Sequence, residues 1–128
     1  MSGNNFILVL ERLRKTYGGV IAVDDLSYAV PEQTVTSLIG PNGAGKTTVF
    51  NLITGFAAAT AGSITYGNRL LNGCKAHEVA SLGIARTFQN VQIFADMSVL
   101  ENVMVGRHLR STAGILQSAI LPSFMRSE

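Results

Sequence analysis

The nine residues from Gly40 to Thr48 constrain the fold more than any other part of the chain. They read Gly-Pro-Asn-Gly-Ala-Gly-Lys-Thr-Thr and fit the pattern Gly-x-x-x-x-Gly-Lys-[Ser/Thr], with an extra Thr behind it. A short apolar run at 35–39 precedes them, and a helix-compatible run at 48–54 follows. Strand, glycine-rich loop and helix in this order are typical of a phosphate-binding loop.

Each residue type in this loop suits one part of an anion site. Gly43 and Gly45 tolerate backbone angles that a side chain forbids, so the amide groups can turn inward around phosphates. A helix that starts at Lys46 directs its unpaired N–H groups and its dipole at the same anion. The Lys46 ammonium can reach the β- and γ-phosphates, Thr47 can coordinate Mg²⁺, and Thr48 can reach another phosphate oxygen.

We therefore predict a nucleotide site in this loop; the alternative is a glycine-rich turn without a ligand. The predicted phosphate-binding residues are Gly40, Pro41, Asn42, Gly43, Ala44, Gly45, Lys46, Thr47 and Thr48.

The composition limits the class of protein. The 128 residues suffice for about one small domain, and 47% hydrophobic against 14% charged residues can build a core. A net charge of +2 is too weak to argue for a nucleic-acid partner. Cys74 is the only cysteine, so no disulfide framework is expected. Neither His77 nor His108 has a Cys or His beside it, so we expect no metal site formed by these residues. With no export signal and no apolar run of membrane-spanning length, we expect a soluble or peripheral protein.

The rest of the pattern predicts a mixed α/β chain that is strand-rich before the loop. The predicted strands are 6–13, 20–23, 26–30, 35–39, 63–66 and 84–88, with turns at 15–19, 31–33 and 67–68. Gly55 should end the helix that follows the loop, and Gly83 a short helix over 75–82. Ser98 and Glu101 form a capping-box pattern that predicts a helix from 98 to about 105, and helix is again expected from 110, broken near Pro122.

An acidic pair upstream of the loop offers a second interpretation for Mg²⁺. Val20 to Val23 are apolar and Asp24-Asp25 follow, as in a strand that places a Mg²⁺-binding Asp opposite a phosphate loop. The run precedes the loop instead of following it, so a polar turn is the simpler prediction.

At this point the chain resembles the ATP-binding subunit of an ABC transporter, over essentially all of its length. The motifs that carry the resemblance are the loop (40–48), Tyr-Gly-Gly-Val-Ile-Ala-Val-Asp-Asp-Leu-Ser (17–27), Phe-Asn-Leu-Ile-Thr-Gly-Phe (50–56), Gly-Ile-Ala-Arg-Thr-Phe-Gln-Asn (83–90) and Met-Ser-Val-Leu-Glu-Asn-Val (97–103). The Arg-Thr-Phe-Gln-Asn form and the Thr-Gly-Phe after the loop look like the branched-chain amino acid importer subset, the LivG type. The resemblance implies a P-loop NTPase nucleotide-binding domain, here its N-terminal portion with an antiparallel β subdomain.

The resemblance also assigns roles outside the loop. Tyr17 matches the aromatic residue that stacks on adenine, although a turn tyrosine packed on the core is the alternative. Val23 would lie near the same base or simply in the core. Gln89 matches the Q-loop glutamine, which in the family contacts Mg²⁺ and the attacking water, and its amide oxygen suits a hard cation. The resemblance thus implies Lys46 and Gln89 as the catalytic residues, and Thr47 and Gln89 as the Mg²⁺ ligands. The cofactors it implies are ATP and Mg²⁺.

The implied partners are transmembrane permease subunits and a second ATP-binding subunit. Residues 90–96 and the helix from Ser98 would face the membrane partner, with Phe94 and Met97 packed there or in an ordinary core. The implied location is the cytoplasm, peripheral on the inner face of the cell membrane.

The chain departs from the family pattern after the Q-loop. It contains no Ser-Gly-Gly-type signature motif, no apolar strand ending in Asp-Glu downstream of the loop (Walker B) and no switch histidine. Without these groups we expect a partial nucleotide-binding domain over 1–128 that does not turn over ATP alone. A smaller departure is Gln33-Thr34, where most relatives have Gly-Glu.

Three functions remain open at the level of sequence. The first is the ATP-binding part of an importer ATPase, and the second a truncated, non-hydrolytic fragment that binds ATP weakly or not at all. The third, another P-loop enzyme such as a GTPase, lacks the Asn-Lys-x-Asp motif that reads guanine.

Overall fold

The computed structural model describes residues 6–88 and 93–106 of the chain. Its contacts divide the chain into two compact units, Met1–Thr87 and Phe88–Glu128. The elements of the first unit are β1 (Phe6–Tyr17), β2 (Val20–Pro31), α1 (Lys46–Ile53), β3 (Ala61–Tyr66), β4 (Arg69–Leu70) and α2 (Ala76–Ser81). The described element of the second unit is α3 (Val99–Gly106).

The first unit is built on one antiparallel sheet with the strand order β2-β1-β3-β4. β1 and β2 form a hairpin at Gly18-Gly19, in which Tyr17 pairs with Val20. β3 pairs with the other edge of β1, and β4 extends the sheet through the turn at 67–68. This confirms the predicted antiparallel β part of the fold, although β4 itself was not predicted.

The predicted break between strands 20–23 and 26–30 is wrong, because β2 is continuous through the acidic pair. Asp24 and Asp25 together stand opposite Arg14, so the extra residue is absorbed as a β-bulge, with Asp25 at φ 46°. Asp24 forms an exposed ion pair with Arg14 at 3.5 Å, and pairs of this kind contribute about 0–1 kcal/mol.

The core of the first unit lies between the sheet, α1 and the segment around α2. α1 contributes Val49 and Leu52, one helical turn apart and both buried, and it ends as predicted at Gly55, whose φ is 73°. The buried hydrophobic residues are Leu10, Leu13, Val23, Val49, Leu52, Ile64, Leu71 and Val79. Val23 is therefore a core residue.

Two predicted strands are absent from the part of the chain that the structure describes. Residues 35–39 form no regular element, and the side chains of Val35 and Ile39 are 99% and 90% exposed. Residues 84–88 likewise form no strand. An apolar run becomes a strand only when neighbouring strands complete its hydrogen-bond ladder, and no described strand pairs with either run.

Smaller differences concern the ends of elements. β1 continues to Tyr17, so residues 15–17 are strand and only Gly18-Gly19 turn the chain. α2 ends before Gly83 as predicted, and His77 on it is exposed. Gln33 has a φ of 57°, a left-handed conformation that is strained for a side-chain-bearing residue.

In the second unit α3 begins where the capping box predicts. Ser98 donates its backbone N–H to the Glu101 carboxylate at 2.7 Å, and the Glu101 N–H points back to Ser98 Oγ at 3.4 Å. Phe94 and Met97, just before the helix, are 55% and 42% exposed, which argues against the core interpretation within this unit. The helix predicted from 110 and its break at Pro122 lie outside the described residues.

Candidate functional site

The predicted phosphate loop is held against the sheet at Gly45. A Cβ atom added to Gly45 would lie 2.2 Å from the carbonyl oxygen of Ala22 and 3.6 Å from Val23 Cγ2. Gly45 also has a φ of 82°, so both space and backbone angle require glycine here. Ala22 and Val23 of β2 therefore pack directly against the loop at Gly45, a contact that the sequence did not predict.

A second loop glycine, Gly43, faces open space. Gly43 has a φ of 85°, and an added Cβ would meet no atom within 4 Å. The Ala44 N–H donates to the Pro41 carbonyl at 3.3 Å, which curls the loop back on itself. The loop is thus held against β2 at Gly45 and has open space beside Gly43.

α1 starts directly after Gly45. Gly45 is its N-cap, no side chain caps the helix, and its first turn carries no acidic residue. The N–H groups of a first helical turn have no acceptor within the helix, and the dipole adds positive potential there. The start of α1 is therefore an anion-binding position that the chain's own side chains leave uncompensated.

Lys46 lies across the same loop. Its ammonium donates to the carbonyl oxygens of Gly40 and Pro41, at 2.7 and 2.6 Å. These contacts keep the positive charge at the loop, where a phosphate oxygen could replace one of the carbonyl oxygens as the acceptor of a hydrogen bond from Lys46. Lys46 is thus held at the loop by two carbonyl acceptors, and its contact with the β- and γ-phosphates stays a prediction.

The loop's hydroxyls suit a magnesium-bound triphosphate. Thr47 is exposed and Thr48 half-buried, both in the first turn of α1. A hydroxyl oxygen at this position is an acceptable ligand for Mg²⁺, which prefers oxygen and usually completes its shell with waters and substrate phosphates. The open space beside Gly43, the uncapped helix start and these hydroxyl groups together fit a nucleotide with Mg²⁺.

Tyr17 stands at the hairpin end of the strand pair that supports the loop. The residue is 49% exposed, and the Lys15 ammonium lies 4.7 Å from the ring centroid. Lys15 is fixed in turn by a hydrogen bond to the Ala58 carbonyl at 2.7 Å. The ring is thus exposed enough to accept a base on its other face, and the cation above it was not predicted.

Other predicted residues are not assembled by the structure. Gln89 lies outside the described residues, so its role stays a prediction. The interpretation of Asp24-Asp25 as Mg²⁺ ligands gains no support, because Asp24 is paired with Arg14. Among residues 6–88 and 93–106, no cluster of His, Cys, Asp or Glu could hold a metal ion, and no helix is long and apolar enough to cross a membrane.

Sequence reasoning missed one polar contact beside the site. Arg86 Nη1 donates to Asn51 Oδ1 at 2.6 Å, which links the segment after α2 to the middle of α1. The two residues are 35 positions apart, so no local pattern could have paired them.

Comparisons with known proteins point to a single family. A family model described as ABC transporter matches residues 23–126. The high-affinity branched-chain amino acid transport ATP-binding protein LivG of Salmonella typhimurium is 42% identical over 123 residues, covering 95% of this chain and 48% of that protein. The corresponding protein BraF of Pseudomonas aeruginosa is also 42% identical, with the same coverage of 95% and 48%.

Solved structures give the same result. A nucleotide-free ATP-binding cassette from an ABC transporter is similar with a TM-score of 0.73 and 36% identity, covering 96% of this chain and 48% of that one. The ADP conformation of an ATP-binding cassette has the same TM-score of 0.73 and 36% identity. The chain thus spans about half the length of the curated relatives it matches.

Proposed function

The chain belongs to the ABC transporter family, and from this membership we propose that it is the nucleotide-binding part of an importer's ATP-binding subunit. The observation that carries the proposal is the loop at 40–48, where Gly45 is seated on Ala22 and Lys46 spans the loop. ATP is the proposed ligand, with its phosphates against the loop and the start of α1.

Five predicted side chains have separate roles in the proposed binding of the nucleotide. Lys46 neutralises the β- and γ-phosphates, and Thr48 donates to a phosphate oxygen. Thr47 and Gln89 hold Mg²⁺, which when bound withdraws charge from the phosphates and orients them. Tyr17 stacks on adenine, and the Lys15 cation on its opposite face adds positive potential near the nucleotide.

The proposed biological role is branched-chain amino acid uptake. It is supported by the LivG and BraF relatives, whose names assign them to that transport, at 42% identity. The proposed partners are transmembrane permease subunits and a second ATP-binding subunit, and the proposed location is the inner face of the cell membrane. Because the chain matches 48% of those proteins, these are roles of the full assembly.

Nucleotide binding is tested by titrating the chain with Mg²⁺ and a fluorescent ATP analogue. Lys46→Ala should weaken binding about tenfold or more, because it removes charge-assisted hydrogen bonds to phosphate. Lys75→Ala, a loss of the same charge at the start of α2, should leave the affinity unchanged. Equal affinity of the wild-type and Lys46→Ala chains would refute the proposed phosphate loop.

A second candidate, binding without hydrolysis, is favoured for the isolated 128 residues. They contain no Asp-Glu strand after the loop and no signature motif, so the carboxylate that would polarise an attacking water is missing from them. We expect no steady phosphate release from the purified chain with Mg²⁺ and ATP. Steady release that disappears in Lys46→Ala would contradict this expectation.

A further inference from the structure

Lys15 is a charged residue on the side of the sheet that carries the core. It pairs with Val23 across β1 and β2, and opposite residues of an antiparallel pair direct their side chains to the same face. Val23 is buried, and its Cγ2 atom lies 3.6 Å from the position that a Cβ on Gly45 would take. Lys15 itself is half-buried. The stem of Lys15 therefore lies on the face of the sheet against which the loop at 40–48 packs.

Two contacts fix the ammonium of Lys15. It donates to the Ala58 carbonyl at 2.7 Å and lies 4.7 Å from the centroid of the Tyr17 ring. Tyr17 follows Lys15 by two residues in β1, so both side chains lie on one face of the strand. A cation at this distance is attracted by the electrons of the ring face. The ammonium therefore covers one face of the ring, while 49% of the residue stays exposed for a second contact.

The Ala58 carbonyl is itself held close to β1. Ala58 belongs to the segment between α1 and β3, and Thr60 in the same segment donates its N–H to the Arg14 carbonyl at 2.8 Å. The Thr16 N–H donates in turn to Thr60 Oγ1 at 3.0 Å. The neighbours of Lys15 on both sides are thus joined to the segment that carries its acceptor. Because the acceptor is anchored, its bond to Lys15 keeps the ammonium in one place beside the ring.

We propose that Lys15, anchored at Ala58, is a positioning residue that holds the Tyr17 ring in one rotamer, with its free face ready for the base of the nucleotide. The proposal rests on the proposed function, since it concerns the stacking of adenine on Tyr17. Without such a contact, a tyrosine side chain can occupy about three staggered wells at χ1, and only the share with the ring correctly placed accepts a base. Lys15 touches neither the base nor the phosphates in this role.

The first test reads the rotamer of Tyr17 without nucleotide, from the three-bond NMR couplings across χ1 in the 128-residue chain. The wild-type couplings should be those of a single rotamer. Lys15→Met, which keeps a long unbranched side chain but loses the charge, should average them over several rotamers. Lys15→Arg should restore the single rotamer, because a guanidinium can donate to the Ala58 carbonyl and lie over the ring.

Lys75→Met, a loss of the same charge at the start of α2, is the matched control and should leave the Tyr17 couplings unchanged. Averaged couplings in the wild-type chain would overturn the proposal without any variant. Unchanged couplings in Lys15→Met would overturn it as well, since the ring would then be held by other contacts.

The second test compares ATP with tripolyphosphate as competitors of the fluorescent ATP analogue. Lys15→Met should weaken ATP about threefold relative to tripolyphosphate, which has no base, because only about one third of the rings stay correctly placed. Lys15→Arg should restore the wild-type ratio of the two affinities. In the Tyr17→Ala background, Lys15→Met should change the ratio no further, since the ring on which it acts is gone. An equal loss for both ligands, or a further change of the ratio in the Tyr17→Ala background, would overturn the positioning role.

Tyr17→Ala separates failure of this inference from failure of the proposed function. If Tyr17→Ala weakens ATP relative to tripolyphosphate while Lys15→Met keeps the wild-type ratio, only the positioning role of Lys15 is refuted. If Tyr17→Ala leaves the ratio unchanged, the adenine contact is refuted, and the inference that depends on it falls with it. A loss of binding in Lys46→Ala would support the phosphate loop in either case.

Discussion

At the scale of single residues, the site depends on a few atoms in close approach. Gly45 is the clearest example, because the space that a Cβ would need is occupied by the carbonyl oxygen of Ala22. Lys46 donates its ammonium protons to the loop carbonyls of Gly40 and Pro41. A phosphate oxygen would replace one of these acceptors without moving the ammonium away from the loop.

Gly45→Ala should destabilise the chain and abolish nucleotide binding. The methyl group would lie 2.2 Å from the Ala22 oxygen, and the backbone would have to leave its φ of 82°. Backbone strain of this kind costs about 1–3 kcal/mol, before any displacement of the loop. Urea unfolding measures the loss, and Gly19→Ala in the hairpin turn, where an added Cβ meets no atom within 4 Å, is the control. Wild-type stability and affinity in Gly45→Ala would contradict the close approach.

Tyr17→Ala should weaken binding of ATP without changing binding of tripolyphosphate. Stacking of a base on an aromatic ring contributes about 1–3 kcal/mol, and tripolyphosphate has no base to stack. Competition of each ligand against the fluorescent ATP analogue measures both affinities. Tyr28→Ala, at another partly exposed tyrosine of the sheet, is the control. If both ligands lose affinity equally in Tyr17→Ala, the ring supports the fold and does not contact adenine.

At the scale of elements, helix ends are where sequence pattern and structure agree most closely. α1 begins after Gly45 without a side-chain cap, which leaves its N-terminus for a ligand. α3 begins with a complete capping box, which satisfies its own N-terminus. The difference is physical, because only an uncapped start offers unpaired N–H groups to an anion.

The capping box of α3 should make that helix sensitive to acid. Hydrogen bonds from the Ser98 hydroxyl and backbone N–H lower the pKa of Glu101 below its ordinary 4.5. A carboxylate with a depressed pKa stabilises the folded state above its unfolded pKa, and this stabilisation is lost as the pH falls through the folded pKa. We therefore expect amide exchange in residues 99–106 to accelerate as the pH is lowered below 4.5, after correction for the intrinsic exchange rates.

Glu101→Gln is the matched variant for this test. Glutamine can still accept the Ser98 N–H through its amide oxygen but does not titrate, so the corrected exchange rate should no longer change through that pH range. The pKa of Glu78 is lowered in the same way by the Lys75 backbone N–H at the start of α2, so α2 should respond to acid as well. Amide exchange in residues 99–106 must therefore be measured separately from exchange in α2. Acid sensitivity that persists in Glu101→Gln would exclude the capping box as its cause.

At the scale of the whole molecule, the buried core and the exposed apolar run behave differently. Leu52 is 3% exposed in the centre of the core, whereas Val35 is 99% exposed in a run with no strand partner among the described residues. Both positions look equally hydrophobic in the sequence. Burial and not residue type should decide the consequence of substitution.

Leu52→Ala should lower the free energy of unfolding by about 2–5 kcal/mol, because it leaves a cavity in the core. Val35→Lys should change it by at most about 0.5 kcal/mol, since no contacts are lost at an exposed site. Urea unfolding of both variants measures the difference. A large loss in Val35→Lys would mean that residues 35–39 are buried in solution, contrary to the structure.

Much of the site could be predicted from local sequence alone. The loop, the helix start at Lys46, the stop at Gly55 and the capping box at Ser98 each depend on a few neighbouring residues with restricted backbone angles or fixed hydrogen-bond spacing. The predicted strands at 35–39 and 84–88 were wrong for the described structure because a strand depends on partners elsewhere in the chain. The continuity of β2 was not predicted, because Asp24-Asp25 is a pattern typical of a turn, whereas a β-bulge can accommodate both residues within one strand.

The sequence by itself determined the glycine-rich loop at 40–48, its order after an apolar run and before a helix, and the family resemblance that the comparisons confirm; phosphate binding by the loop is its prediction. Only the tertiary structure decided that Gly45 rests on Ala22, that Lys15 covers one face of Tyr17, and that Arg86 is bound to Asn51. The reason is that backbone angles and helix caps are fixed within a few residues, whereas a contact between residues 35 positions apart exists only once the chain has folded around its core.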